Sequence, residues 1–223
     1  MQDVLDLFKQ TGALLHGHFV LRSGLHSREF FQCALLLQDA PIASRVCGML
    51  AERLGAYDAE VVISPAVGGI IVGQEVARHL GKKHIFVEKD GNGGLVLRRG
   101  FEIQPGQRFV VAEDVVTRGG RVQETIQIVR DHGGIVVAAG SIVDRSGREI
   151  PDFGCPFVSL VQMNVETFTA DNIPADLQGI PAIKPGSKKS AAAIDMAAVT
   201  GRIRGSHFNH TYHYGNCNWH QSS

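Results

Sequence analysis

The stretch from Phe109 to Arg121, FVVAEDVVTRGGR, constrains this chain more than any other. Val110, Val111, Val115 and Val116 are apolar and β-branched, which suits a central parallel strand covered on both faces. Glu113 and Asp114 then fall near the carboxyl end of that strand, and Thr117, Arg118, Gly119 and Gly120 supply a tight turn. Val122, Ile126 and Val129 recur at helical spacing beyond it, until Gly133 and Gly134 stop the helix. A glycine turn that opens a helix after a strand aims its amides at one point and forms an anion cradle. Carboxylates beside such a cradle repel a phosphate, so they suit its neighbours: sugar hydroxyls or a hydrated magnesium ion. Together these parts make a site for a phosphorylated sugar.

A Walker A loop would need G-x-x-x-x-G-K-[ST], and a dinucleotide fingerprint G-x-G-x-x-G; neither string occurs. The 22 basic and 22 acidic side chains balance, which gives no reason to expect a nucleic-acid or membrane surface as partner. No apolar run reaches membrane-spanning length, and MQDVLDLFKQ reads as an amphipathic helix rather than a signal peptide, so a cytoplasmic location is expected. Cys33, Cys47, Cys155 and Cys217 are widely spaced and lack metal-type partners, so they read as reduced thiols.

Val4, Leu5, Leu7 and Phe8 mark a first helix, and Pro41 to Leu54 a second, stopped at Gly55. A βα rhythm follows. Strands are expected at Glu60–Ser64, His84–Glu88, Phe109–Val116, Ile135–Asp144 and Phe157–Gln162, with a helix over Ile70–Leu80 that Gly81 ends. Such a chain is an α/β open sheet, whose ligands bind beyond the carboxyl ends of the strands. Four loops converge there: Pro65–Gly69, Lys89–Gly100, Thr117–Gly120 and Arg145–Arg148.

In PAVGG, Gly68 and Gly69 let a pyrophosphate approach bare backbone, although a plain turn explains the string nearly as well. The run KDGNGGLVLRRG, with Lys89, Arg98 and Arg99, suits a mobile lid that brings cations onto a leaving pyrophosphate, or else a solvated β-hairpin with Asn-Gly chemistry. Arg145 at a strand end is an ordinary surface ion pair unless the phosphate loop shares its face. His16, His18 and His26 read as structural or solvent histidines, for want of ligand-type neighbours.

The acidic pair and its turn resemble the 5-phosphoribosyl-1-pyrophosphate (PRPP) motif of type I phosphoribosyltransferases. Along LRSGLHS with Phe30 and Phe31, SPAVGGIIVGQEVARHLG, FVEKDGNGGLVLRRGFEI and GIPAIKPGS, the chain resembles the orotate phosphoribosyltransferase family from about residue 10 to 187. The resemblance implies a type I phosphoribosyltransferase fold: a central, mostly parallel sheet flanked by helices, with an N-terminal hood and a mobile lid loop. It implies transfer of the phosphoribosyl group from PRPP to orotate, with magnesium (Mg2+) as cofactor, carried mainly by PRPP rather than by protein ligands. By the same resemblance Lys89 and Asp114 serve catalysis. PRPP is held by Arg22, Lys89, Glu113, Asp114, Val115, Val116, Thr117, Arg118, Gly119, Gly120 and Arg121. Orotate is held by Phe30, Phe31, Thr117 and Arg145, and a guanidinium fork independently suits the carboxylate that distinguishes orotate from uracil. A homodimer whose lid reaches the partner's site is also implied.

Where the enterobacterial pattern places a lysine in the pyrophosphate loop this chain has Gly68, its lid is shorter, and Arg22 stands where lysine is common. A base phosphoribosyltransferase of another specificity would share the PRPP motif but lack the context of Arg145 and the phenylalanines. A nucleotide-sensing regulator would need a basic face or a DNA-binding domain, and neither is evident. The catalytic body with its hood is expected over 1–188. Residues 189–223, with His207, His210, His213, His220 and Trp219 in a Gly-Asn-Ser-rich context, read as an appended, disordered tail.

Overall fold

Alternating apolar strands and amphipathic helices build a parallel sheet covered on both faces in the computed structural model, which describes residues 2–21, 23–147, 152–163 and 165–185. Arg22, Arg148, Cys217 and the tail at 189–223 lie outside the described residues. The main sheet has the order β5-β4-β3-β6-β7-β8. Its strands are β3 (Val61–Pro65), β4 (Lys83–Lys89), β5 (Leu95–Leu97), β6 (Arg108–Val116), β7 (Ile135–Asp144) and β8 (Phe157–Gln162). All pairings are parallel except that of β5, which returns on β4 as a hairpin.

Successive residues of a strand face opposite sides, and β6 divides its apolar run accordingly. Val110 and Ala112 join a core with Val4, Phe8, Leu36, Leu50 and Val76, under helices α1 (Gln2–Gln10), α2 (Cys33–Leu37), α3 (Ala40–Leu54) and α4 (Gly68–Leu80). Phe109 and Val111 join the other core with Val122, Ile126 and Val129 of α5 (Gly120–Asp131). A near-continuous apolar strand therefore serves two cores at once.

Helix limits follow local chemistry. The Asp39 side chain accepts from the Ile42 amide at 3.1 Å and caps α3, with Pro41 in the first turn, where its missing N–H costs nothing. Gly55 ends α3 with a right-handed φ of −64°, so it is not a left-handed stop, whereas Gly81 ends α4 at φ 66°. Helix α4 begins two residues before the expected start. Helix α2 was not foreseen, since five residues carry too little periodicity to read.

A second, antiparallel sheet forms the hood from β1 (Leu14–Val20), β2 (His26–Phe31) and β9 (Thr167–Phe168), in the order β1-β2-β9. A register shift between His16 and Phe19 breaks the alternation of β1. Arg28 clasps the hood to the far end of the chain: its Nε and Nη2 donate to Asp176 at 2.7 and 2.8 Å, its Nη1 to Glu166 at 2.5 Å, and its guanidinium lies 4.7 Å from the Phe168 ring centre. His18 Nδ1 meets the Ile180 carbonyl at 2.8 Å and its Nε2 meets His26 Nδ1 at 2.7 Å, while exposed His16 lies 3.5 Å from Glu29. All three hood histidines are thus partnered within the fold. Cys33 and Cys47 are buried free thiols and Cys155 is half-buried. Among the described residues no helix is long and apolar enough to cross a membrane.

Candidate active site

Strands β3, β6 and β7 are neighbours running in one direction, so the loops at their carboxyl ends share an edge. Those loops carry Gly68 and Gly69, the turn from Thr117 to Gly120, and Arg145. At the end of β6, Glu113 is buried and Asp114 half-buried. Glu113 Oε1 accepts from the Asp114 amide at 2.9 Å, and Asp114 Oδ1 from the Val115 amide at 2.7 Å. Burial, reinforced by the neighbouring Asp114 charge, holds the Glu113 carboxyl well above the usual range. Asp114 is the more accessible acid of the pair.

Thr117 and Arg118 are exposed on the turn. Gly119 adopts φ 74°, a left-handed conformation that glycine takes without penalty, and it caps α5 with no side chain. The first amides of α5 thus face outward without a competing side-chain acceptor at the cap, which leaves them for an anion. Val115 is half-buried and Val116 buried, so these two offer the site backbone rather than side chain. Arg121 turns away from the turn: its Nη1 donates to the Gly93 carbonyl at 3.1 Å and to Glu124 at 2.9 Å.

Arg145 follows β7. Its amide donates to the Val116 carbonyl at 2.7 Å, which ties it to the strand that ends in the phosphate turn. Its guanidinium carbon stands 5.9 Å from the Phe31 ring centre, and its buried Nε finds no acceptor among the described residues. Burial pulls the Arg145 guanidinium below its usual range, and the charges of Cys33 and Glu29 offset that cost only in part. Arg145 is therefore not the surface ion pair that its strand-end position also allowed.

Phe31 is buried and packs edge-on against Phe8, with centres 5.5 Å apart; Phe30, half-buried on the opposite face of β2, packs against Phe19 at 5.8 Å. The two phenylalanines therefore do not form one wall, and only Phe31 lies beside Arg145.

The Lys89–Gly100 segment is a hairpin, with Lys89 paired to Leu95 and Val87 to Leu97. Asp90 Oδ1 organises its tip by accepting from the amides of Asn92 at 2.7 Å and Gly94 at 3.1 Å. The tip rests on α5 of the same chain through Arg121 and through the Leu95 amide, which donates to Glu124. Lys89 is exposed and Arg99 is paired with Glu88 at 2.8 Å.

Three participants escaped the sequence. Buried Asp144 accepts from the amide and hydroxyl of Ser146 at 2.8 and 2.6 Å, which fixes the turn carrying Arg145. Cys33, at the start of α2, is buried close enough to Asp114, Glu113 and Arg145 to feel their charges, and its thiol is pushed well up, first by burial. Ser64, buried at the end of β3, bonds His84 at 2.8 Å across to β4. The Asp-x-Ser spacing at 144–146 carries a readable turn signal, whereas the others depend on strand pairing.

A family model described as the phosphoribosyl transferase domain matches residues 36–172. Orotate phosphoribosyltransferase of Carboxydothermus hydrogenoformans is 48% identical over 189 residues, covering 84% of this chain and 98% of that protein. Its counterpart in Thermotoga maritima is 44% identical over 185 residues, covering 83% of this chain and 98% of its own length. The crystal structure of orotate phosphoribosyltransferase from Aeropyrum pernix superposes with a TM-score of 0.63 at 29% identity, covering 72% of this chain and 93% of that one. With the acidic pair, the uncapped glycine turn and Arg145 gathered on one edge of the sheet, the chain belongs to the phosphoribosyltransferase family, among the orotate phosphoribosyltransferases.

Proposed function

We propose that the chain transfers the 5-phosphoribosyl group of PRPP to orotate, giving orotidine 5′-monophosphate and pyrophosphate in pyrimidine nucleotide synthesis. One observation carries the choice of base: a guanidinium at the site has an enclosed Nε with no acceptor among the described residues. A carboxylate on the incoming base supplies charged acceptors to that fork, and uracil, adenine and hypoxanthine carry no carboxylate.

The reaction asks the protein for alignment and charge placement rather than covalent work, since base and pyrophosphate are themselves nucleophile and leaving group. The α5 amides, with Thr117, Arg118, Gly119, Gly120 and Arg121, hold the 5-phosphate. Asp114, backed by Glu113, takes the ribose hydroxyls and faces the positive charge that develops on the sugar. Thr117 and Phe31 flank the base that Arg145 anchors. Among the described residues no group of three or more His, Cys, Asp or Glu could hold a metal, and two adjacent carboxylates fit a magnesium ion that takes most of its oxygen ligands from PRPP and water. When bound, that ion neutralises charge on the departing pyrophosphate.

Exposed Lys89, at the base of the hairpin, is the lid cation for the pyrophosphate side. The lid acts in a homodimer, over the partner's site, and to do so its tip must first leave Arg121 and Glu124 of its own chain. A cytoplasmic location suits the substrates, and residues 189–223 stand outside the catalytic body.

The test is the loss of orotate absorbance with PRPP and magnesium, beside pyrophosphate release with adenine, hypoxanthine and uracil. Turnover confined to orotate is the expected result, and equal turnover of any other base overturns the assignment.

A further inference from the structure

Arg121 belongs to the phosphate motif by sequence, yet its guanidinium serves the hairpin. It is the second residue of α5, within the turn whose amides form the cradle. Its Nη1 donates at 2.9 Å to Glu124, three residues further along the same helix, and at 3.1 Å to the Gly93 carbonyl at the hairpin tip. The Glu124 carboxylate completes the contact, since Oε2 takes Arg121 and Oε1 accepts from the Leu95 amide. The tip lies close on that carboxylate: a Cβ built on Gly94 would stand 3.3 Å from Oε1. One carboxylate thus ties an arginine of α5 and the backbone of the hairpin into a single junction.

The junction is light. Arg121 and Glu124 each keep 32% of their side-chain exposure, and partly exposed pairs of this kind hold weakly. The hairpin does not need it for shape, because Asp90 Oδ1 accepts from the Asn92 and Gly94 amides and the Asp90 amide donates to the Gly94 carbonyl at 3.0 Å. A phosphate on the first amides of α5 offers Arg121 a charge-assisted, two-pronged partner, which a carbonyl and one carboxylate oxygen do not match. Turning back toward the amino end of the helix takes the guanidinium off both Glu124 and Gly93.

We infer that Arg121 is a shared ligand: in one state it latches the hairpin through Gly93 and Glu124, and in the other it turns to the 5-phosphate and releases the tip. Phosphate capture and lid release are then one event. The inference rests on the reading of the α5 turn as the 5-phosphate cradle. Because the two uses of Arg121 exclude each other, whatever weakens the latch strengthens phosphate binding.

Deuterium exchange and calorimetry with ribose 5-phosphate test both halves. At saturation the probe should speed exchange over residues 90–97 about threefold or more, as release of a light contact does, while slowing it over 118–123. Glu124→Ala should bind the probe about threefold or more tighter, with 90–97 already exchanging fast, and Glu124→Gln, which keeps an acceptor for Leu95, should gain less. In an Arg121→Ala background, adding Glu124→Ala should change affinity by less than about twofold. A gain that persists without Arg121 means that Glu124 merely repels the anion, and it overturns the inference. So does unaltered exchange over 90–97 when the probe protects 118–123. If the probe slows no exchange over 118–123 in any of these proteins, the cradle reading itself falls, and the inference with it.

Discussion

Replacing Arg145 by alanine separates catalysis from stability with opposite signs. The guanidinium is largely enclosed, its Nε has no acceptor among the described residues, and burial already draws its ionisation below the usual range. The protein thus bears the cost of an underpaired charge that Glu29 offsets only in part and that a bound carboxylate would offset further. A hydrogen bond between charged groups contributes about 1.5–3 kcal/mol, so loss of a two-pronged fork, discounted for non-additivity, comes to about 3–4 kcal/mol. At about 1.36 kcal/mol per tenfold, kcat/KM for orotate should fall by roughly two to three orders of magnitude. Affinity for PRPP should stay within about twofold, since Arg145 touches neither acidic pair nor phosphate turn through its side chain in the proposed arrangement. Thermal stability should hold or rise, because the mutation removes a buried unpaired group. Arg145→Lys keeps the charge without the planar fork and should fall between the two enzymes. Orotate absorbance kinetics and a melting curve on the same preparations decide the matter. A folded Arg145→Ala enzyme with unchanged orotate kinetics, or one that melts far below wild type, refutes the reasoning.

Burial pushes the His84 imidazole down to about 4, below its usual value near 6.5. The folded state therefore binds fewer protons than the unfolded chain between those values, and the stabilisation present above about pH 6.5 is lost as pH falls toward 4. His84→Gln, which can keep a bond to Ser64, should flatten that acid decline of Tm, and a profile parallel to wild type counts against it. Lys89→Ala and Asp114→Asn should each be nearly inactive, yet random re-assortment of the two should restore activity to roughly a quarter of wild type if lids cross a two-fold dimer. No recovery, with mixed dimers demonstrated by mass, places the lid over its own subunit. Deletion of residues 189–223 should leave activity and melting unchanged, and unfolding on truncation would make the tail part of the body.

The main sheet was legible because its strands are apolar runs closed by glycine or charge. Ile135–Asp144 and Phe157–Gln162 form with the expected limits, and β6 gains only Arg108. The phosphate turn was legible because its chemistry is local, with strand, carboxylates, glycines and helix in one continuous string. The hood was harder. A register shift in β1 hides the alternation, β9 has two residues, and the partners of Arg28 lie far along the chain. Gly68 stood out as a missing cation, but only strand pairing reveals that a carboxylate occupies the space of its side chain. Phe30 and Phe31 are adjacent in sequence, yet the two-residue period of β2 sends the rings to opposite faces. Arg121 sits inside the phosphate motif but spends its side chain on the hairpin, a contact set by where the hairpin folds back.

The clasp made by Arg28 gives the two halves of the proposed site very different sequence separations. Every strand and turn of the phosphate cradle lies between β3 and the start of α5, so that half of the site closes through nearby parts of the chain. The hood waits for Glu166, the β9 strand, Asp176 and the carbonyl of Ile180 to pair with residues near the amino terminus. Contacts of such long range close late, after the loop entropy between them has been overcome. In the proposed reading the sugar-phosphate half of the site is therefore local in sequence, whereas the half that encloses the base depends on residues 166–180 reaching back to the amino-terminal strands.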